Sequence, residues 1–124
     1  MNYVGRFPMS RSHIKMDYGE YDDFSGEDFT RDEILGVRFI GTRLREAQFN
    51  GGRKYRDVRF HSCDMTGANL AYAEFSGTLS FSGSNLTHAI LQGAKLKGKL
   101  IPNAILEEAS SLSGAILPDG TRHW

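Results

Sequence analysis

The chain of 124 residues contains one cysteine, Cys63, so no internal disulfide can form and a reducing, cytoplasmic setting is the expectation. It also has no net charge. Fifteen basic and fifteen acidic side chains cancel, which argues against affinity for nucleic acid through counterion release and against wholesale imitation of a polyanion. The first twenty residues hold no uninterrupted apolar stretch fit for the core of a signal peptide. No window approaches the roughly 20 apolar residues of a membrane span, so a soluble protein is expected. The length suits one domain with one core.

What is present is a period of five. A large apolar residue returns at Phe24, Phe29, Ile34, Phe39, Leu44 and Phe49, slips by one, and resumes at Tyr55, Phe60, Met65, Leu70 and Phe75. It slips again to Phe81, runs through Leu86, Leu91, Leu96, Ile101 and Leu106, and after a last slip gives Leu112 and Leu117. Glycine tests this register independently, since a true period places it at one offset. Ten of the fourteen glycines fall two residues after a centre: Gly26, Gly36, Gly41, Gly51, Gly67, Gly77, Gly83, Gly93, Gly98 and Gly114. Two residues before the centres stand mostly small or short side chains, namely Thr42, Ala47, Val58, Cys63, Ala68, Ala73, Ser84, Ala89, Ala94, Ala104 and Ala115.

A period of five matches neither the 3.6 of a helix nor the 2 of a strand, either of which would smear these residues around every face. A chain that turns a corner every five residues keeps the large and the small residue inward, with glycine at the bend. Four sides make a coil of about twenty residues, and coils stack at the roughly 4.8 Å spacing of paired strands. The repeat resembles the pentapeptide-repeat family, whose units read approximately A-(D/N)-L-x-x, most closely at Ala68-Asn69-Leu70, Ser84-Asn85-Leu86 and Ala94-Lys95-Leu96. The resemblance implies an all-β fold, a right-handed quadrilateral parallel β-helix of about five coils. Three segments follow: 1–21 as an N-terminal cap or irregular segment, 22–117 as the β-helix, and 118–124 as a C-terminal turn and cap. Asp22, Glu27, Asp32 and Arg53 occupy slots where a small residue is expected, so the first coils are expected to be looser.

Residues one coil apart should lie above one another. The position before each centre then gives two columns of alternating sign, Asp23-Arg43-Asp64-Asn85 and Glu33-Lys54-Glu74-Lys95. Such exposed ladders contribute about 0 to 1 kcal/mol per pair and mainly avoid like-charge contacts. A third column, Arg38 above Arg59, has no such compensation, and with Arg45 and Arg56 nearby on the outer surface it is expected to leave a basic area on the middle coils. The run from Asp17 to Glu33 carries eight acidic residues and one arginine, while Arg38 to Arg59 carries seven basic and two acidic ones. The neutral total therefore conceals an acidic end beside a basic waist. The interior columns predict a filled core, aromatic toward the N-terminus and leucine-rich toward the C-terminus, with no pocket for a small ligand.

Residues 1–20 lack the period, and Tyr3, Val4, Phe7 and Ile14 are expected to lie over the first coil. Trp124 is expected as a lid on the last. The cluster His61-Ser62-Cys63-Asp64 looks like a nucleophile with its base or a metal site, but the register turns Cys63 inward and His61 and Asp64 outward. Gly51-Gly52-Arg53-Lys54 lacks the strand and helix of a phosphate loop and reads as a slip between coils. No catalytic, cofactor-binding or metal residue is therefore expected. The expected function is a non-enzymatic rigid scaffold that binds another protein, with Arg38, Arg45, Arg56, Arg59 and the corner residue Tyr72 as candidate contacts. A monomer or end-to-end dimer is expected, without small-molecule, membrane or direct nucleic-acid binding. The resemblance also implies an alternative, a DNA mimic that modulates a type II topoisomerase. That role wants a long, strongly acidic rod, whereas this chain is neutral and about 25 Å long at sheet spacing.

Overall fold

A computed structural model describes residues 23–124, and the expectations for residues 1–21, including Tyr3, Val4, Phe7 and Ile14, lie outside them, as does Asp22. The described chain winds through four coils and half of a fifth. Coil-to-coil pairing is set by the backbone: Asp23 bridges Arg43, Arg43 bridges Asp64, Asp64 bridges Asn85, and Asn85 bridges Ser111, all in parallel. A second face repeats this through Asp28, Gln48, Asn69, Ile90 and Ile116. The remaining two faces carry the regular strands β1 (Ile34–Leu35), β2 (Arg38–Ile40), β3 (Tyr55–His61), β4 (Glu74–Ser80), β5 (Lys95–Leu96) and β6 (Lys99–Leu100), and a short helix α1 (Asn103–Leu106) follows. Strand β3 pairs with both β1 and β2 on one side and with β4 on the other. We number the four faces 1 to 4 by their first centres, Phe24, Phe29, Ile34 and Phe39.

Corners on the first two edges close with a turn in which the third residue after a centre donates back to the centre, as in Ala47 N–H to Leu44 O (3.1 Å) and Ala68 N–H to Met65 O (2.9 Å). At most corners the residue two after the centre takes positive φ, which is where the glycines stand. The column order of these corners was not legible from the offset alone. On the first edge they run Gly26, Glu46, Gly67, His88, Gly114; on the second Gly51, Tyr72, Gly93; on the third Gly36, Asp57, Gly77; on the fourth Gly41, Ser62, Gly83, all at positive φ. Glycine alternates with a residue bearing a side chain because that side chain lies against the glycine one coil later. A Cβ on Gly67 would meet Glu46, on Gly83 Ser62, on Gly77 Asp57, on Gly93 the Tyr72 ring, and on Gly114 the His88 ring.

The centres pile into the core. Phe29 stacks on Phe49 with ring centroids 4.8 Å apart, and Phe39, Phe60 and Phe81 form a continuous pile at 5.3 Å per step. Edge-to-face contacts tie the piles together, as between Phe49 and Phe60 at 5.6 Å. Leu70, Leu86 and Leu91 continue the interior, fully buried. Each buried side chain of this size contributes about 1.5 to 3 kcal/mol. Arg53 does not occupy an inward slot: Gly52 is buried there instead, because a Cβ would collide with the Tyr55 ring. The Gly51-Gly52 pair is thus a slip that admits Tyr55, whose hydroxyl donates to Phe29 O at 2.7 Å. The slip before Phe81 is a bulge between β3 and β4, where the Asp57 carboxylate accepts the Thr78 N–H at 2.8 Å.

Two sequence expectations fail toward the C-terminus. The register does not continue through Ile101 and Leu106, because Leu86 receives its pairing from Ser111 and Leu91 from Ile116. Leu112 and Leu117 therefore follow Leu86 and Leu91, and the intervening segment is an insertion: β6 folds back antiparallel on β5, and α1 leaves Ala104 exposed. Trp124 is no lid, being 85% exposed, with the Arg122 guanidinium 5.4 Å from its ring centroid. The last coil is covered by backbone instead. Asp119 accepts from the Thr121 N–H and hydroxyl, the chain reverses, and His123 N–H donates to Ala115 O at 2.7 Å. Antiparallel closure at both places blocks the parallel edge that a further coil would extend.

Thr42, Cys63 and Ser84 form an inward polar column. The Cys63 thiol donates to Phe39 O at 3.1 Å, and the Ser84 hydroxyl to Phe60 O at 2.8 Å. Burial pushes the thiol up from 9.0 to about 11, against the opposing influence of hydrogen bonds with Thr42, Ser84 and His61, and burial also raises the Tyr55 phenol. A thiol raised in the folded state destabilises as pH climbs, since the unfolded chain ionises first. Stability should fall by about 3 kcal/mol between pH 9 and 11 on account of Cys63, with Tyr55 adding to the upper part. Urea unfolding across that window checks this, and Cys63→Ala should flatten its lower part; an unchanged slope would refute the assignment.

The corner alternation makes a second expectation. Gly93→Ala should cost about 1 to 2 kcal/mol for left-handed backbone alone, and more with the Tyr72 ring in place. In a Tyr72→Ala background only the backbone share should remain. Equal costs in both backgrounds, measured by denaturant unfolding, would show that the ring does not rest on Gly93.

Candidate functional site

The outward side chains of the stacked coils form flat faces, and their columns can be followed residue by residue. On face 4 the parallel pairing of β2 with β3 sets Arg38 against Arg59, Phe39 against Phe60 and Ile40 against His61, and β4 continues the column with Ser80 against Arg59. The inward member of each triplet is buried and the arginines are exposed, so both guanidinium groups project from one face. Between them lies a shallow recess of about 200 Å³ lined by Arg38, Ile40, Arg59, His61 and Ser80. At its far side the Ser80 hydroxyl meets the Glu108 carboxylate at 3.4 Å and accepts the Ser82 N–H at 3.2 Å. Arg38 has an interaction of its own. Arg59 makes no ion pair among the described residues.

The five candidate contacts do not share one surface. Arg56 lies on face 3, paired with Ser76, one corner away from Arg59. Arg45 lies on face 1, across the prism from Arg56, where its Nη1 reaches Asp64 Oδ2 at 3.2 Å. Tyr72 sits on the corner between faces 2 and 3, 59% exposed, with its ring over Gly93. Arg38, Arg56 and Arg59 are therefore brought around one edge, and Arg45 and Tyr72 are not. Residues on either side of a corner face different ways, so Arg45 and Arg56, both on the outer surface, lie on faces other than that of Arg38 and Arg59.

The charge ladders stand as registers, Asp23-Arg43-Asp64-Asn85 by direct bridging and Glu74 opposite Lys95 within β4 and β5. Two ion pairs among the described residues run diagonally: Arg45 with Asp64, and Arg53 with Glu74 at 3.9 Å. Both are exposed and contribute little. Burial raises the Asp64 carboxyl, but hydrogen bonds from the Thr66 hydroxyl and N–H and from Arg45 outweigh it and hold it below the usual carboxylate range. The same side chain-to-backbone turn recurs at Asp28-Thr30 and Asn85-Thr87, where the carboxylate or amide oxygen accepts both the N–H and the hydroxyl two residues on. This is the structural use of the acidic or amide residue before each centre.

His61 and Ser80, which line the recess, were not among the expected contacts. Their place follows from the Arg38-Arg59 column: each stands on the same face, one coil or two residues away. Cys63 points inward and away from His61 and Asp64, so the cluster does not converge on a common point. Among the described residues no group of three His, Cys, Asp or Glu side chains could hold a metal ion. No described helix is long and apolar enough to cross a membrane.

Residues 59–98 match the family described as pentapeptide repeats, in eight copies. Among solved structures the chain is similar to HetL, a pentapeptide repeat protein involved in heterocyst differentiation regulation from the cyanobacterium Nostoc sp. strain PCC 7120. The identity is 17% over 93% of this chain and 94% of that one, with a TM-score of 0.27. No curated protein matches. The matched segment, 40 of the 124 residues, comprises the last three residues of β3, the whole of β4 and β5, and the corners between them, and the same coil runs on either side of it: residues 59–98 carry pentapeptide repeats, and the chain folds as a right-handed quadrilateral β-helix.

Proposed function

We propose that this β-helix is a non-enzymatic, rigid scaffold that binds another protein through the edge between faces 3 and 4. The observation that carries the reading is the stacking of Arg38 and Arg59 in one parallel register on a flat exposed face, with Arg56 around the corner. A filled core supports it: Phe29, Phe39, Phe49, Phe60 and Phe81 are fully buried, which leaves the surface to do the work. So does rigidity, because strand pairing fixes the backbone that carries the arginines and leaves only side-chain freedom to be lost when a partner arrives. A cytoplasmic setting fits the single buried thiol. Within this reading residues 22–117 form the scaffold and 118–124 its C-terminal turn and cap.

Charge reversal separates this edge from the rest of the surface. Arg56→Glu combined with Arg59→Glu should abolish capture of a native partner, identified by mass spectrometry, while moving the melting temperature by only a few degrees, as surface substitutions do. Gln48→Glu, on the opposite face 2, should leave capture intact. Equal capture by both variants would remove this edge from the function.

A further inference from the structure

The recess on face 4 carries more than a general affinity for protein. We infer that it seats a carboxylate side chain of an acidic, extended partner segment; this rests on the protein-binding reading above and names the partner's chemistry. Arg59 supplies the charge and a planar fork of N–H donors that matches a carboxylate in two-point fashion. His61, next along the same face, adds a ring nitrogen, and Ile40, one coil earlier, offers an apolar wall for the methylenes that carry an acidic head. At about 200 Å³ the recess has room for such a side chain but not for a cofactor or a drug-sized molecule.

The charged surroundings are set by the neighbouring coils. Arg38 borders the recess on the N-terminal side and has an interaction of its own. On the C-terminal side Glu108 is directed to the Ser80 hydroxyl, and Asp57, on the corner two residues before Arg59, is engaged by the Thr78 N–H. Arg59 thus remains the donor without an ion pair among the described residues. Glu108 also shows that a carboxylate already docks on this column, one coil beyond Arg59. A partner segment lying along the coil axis would meet outward positions repeating at roughly 4.8 Å, with Arg59 and Arg38 in succession. Such a contact is electrostatic, weakens with salt and is faster to form than an apolar one.

The probe is fluorescein-labelled octaglutamate, titrated with the full chain at low salt and read by anisotropy. Binding should weaken about tenfold or more in Arg59→Glu, to a lesser degree in Arg59→Gln, and not at all in Gln48→Glu, in line with the loss of a charged hydrogen-bonded contact. Circular dichroism melting of each variant separates lost binding from lost fold, and Arg59→Gln, which adds no acidic charge, keeps the test usable where the reversal unfolds. Absent binding, or equal binding by wild type and both Arg59 variants, overturns the inference. So does binding of inorganic phosphate without octaglutamate, which would make the recess a small-anion site, and so does a duplex DNA oligomer that binds as tightly. Failure here leaves the broader scaffold reading to its own capture experiment, which uses a native partner and the Arg56 and Arg59 reversals.

Discussion

Backbone hydrogen bonds between successive coils govern everything else in this protein. The N–H of each centre donates to the coil that follows, as Phe24 to Arg43, Leu44 to Asp64, Met65 to Asn85 and Leu86 to Ser111, each at 2.8 Å. One register therefore fixes three things together. It stacks the inward rings, it lines up the outward columns, and it sets each corner residue against the corner one coil on. A change of register anywhere would shift all three, which is why the slips at Gly52 and Gly77 are built with such care: one removes a side chain to admit Tyr55, and the other satisfies its spare N–H with Asp57.

The parts that were legible in the sequence are those that follow from a strict period. Phe29 over Phe49 and Asp23 beside Arg43 needed only the count of five and the assumption of four sides, and the core rings stack as that count requires. The count failed between Leu96 and Leu112. Ile101 and Leu106 kept the apolar spacing, and both are buried, but they reach the interior from an insertion and not from a coil side. Spacing reports that a residue turns inward; it does not report by which path. Trp124 failed for a different reason. A large terminal ring suggested burial, but the exposed edge was one of unpaired backbone groups, and backbone from 121–123 is the better match for it.

The candidate site was legible by column and illegible by face. Arg38 and Arg59 occupy the same position of the repeat one coil apart, so their juxtaposition follows from the period alone. Arg45 and Arg56 are exposed as expected, yet a corner separates each from face 4, and exposure says nothing of direction. His61 had drawn attention as a partner for Cys63, when its neighbour in space is Ile40 on the preceding coil. Reading across coils places it at the recess; reading along the chain places it in a cluster that does not exist.

The alternation at the corners bears on where recognition can occur. A corner side chain such as Glu46, His88 or Tyr72 lies down over the glycine of the next coil, so its direction is set by packing and it covers the edge without reaching outward. At Gly77, Gly93 and Gly114 a side chain would take the space of the corner side chain one coil earlier, and at Gly67 and Gly83 it would crowd it. Edges are thus half empty by construction. Faces are less restricted: the residue after a centre projects outward in successive coils, whereas the one before it is held at Asp28, Asp64, Asn69 and Asn85 by the turn its side-chain oxygen closes. A partner that reads this surface must read its faces, which favours the arginine column of face 4 over the aromatic corner at Tyr72, despite the larger apolar area that the tyrosine exposes.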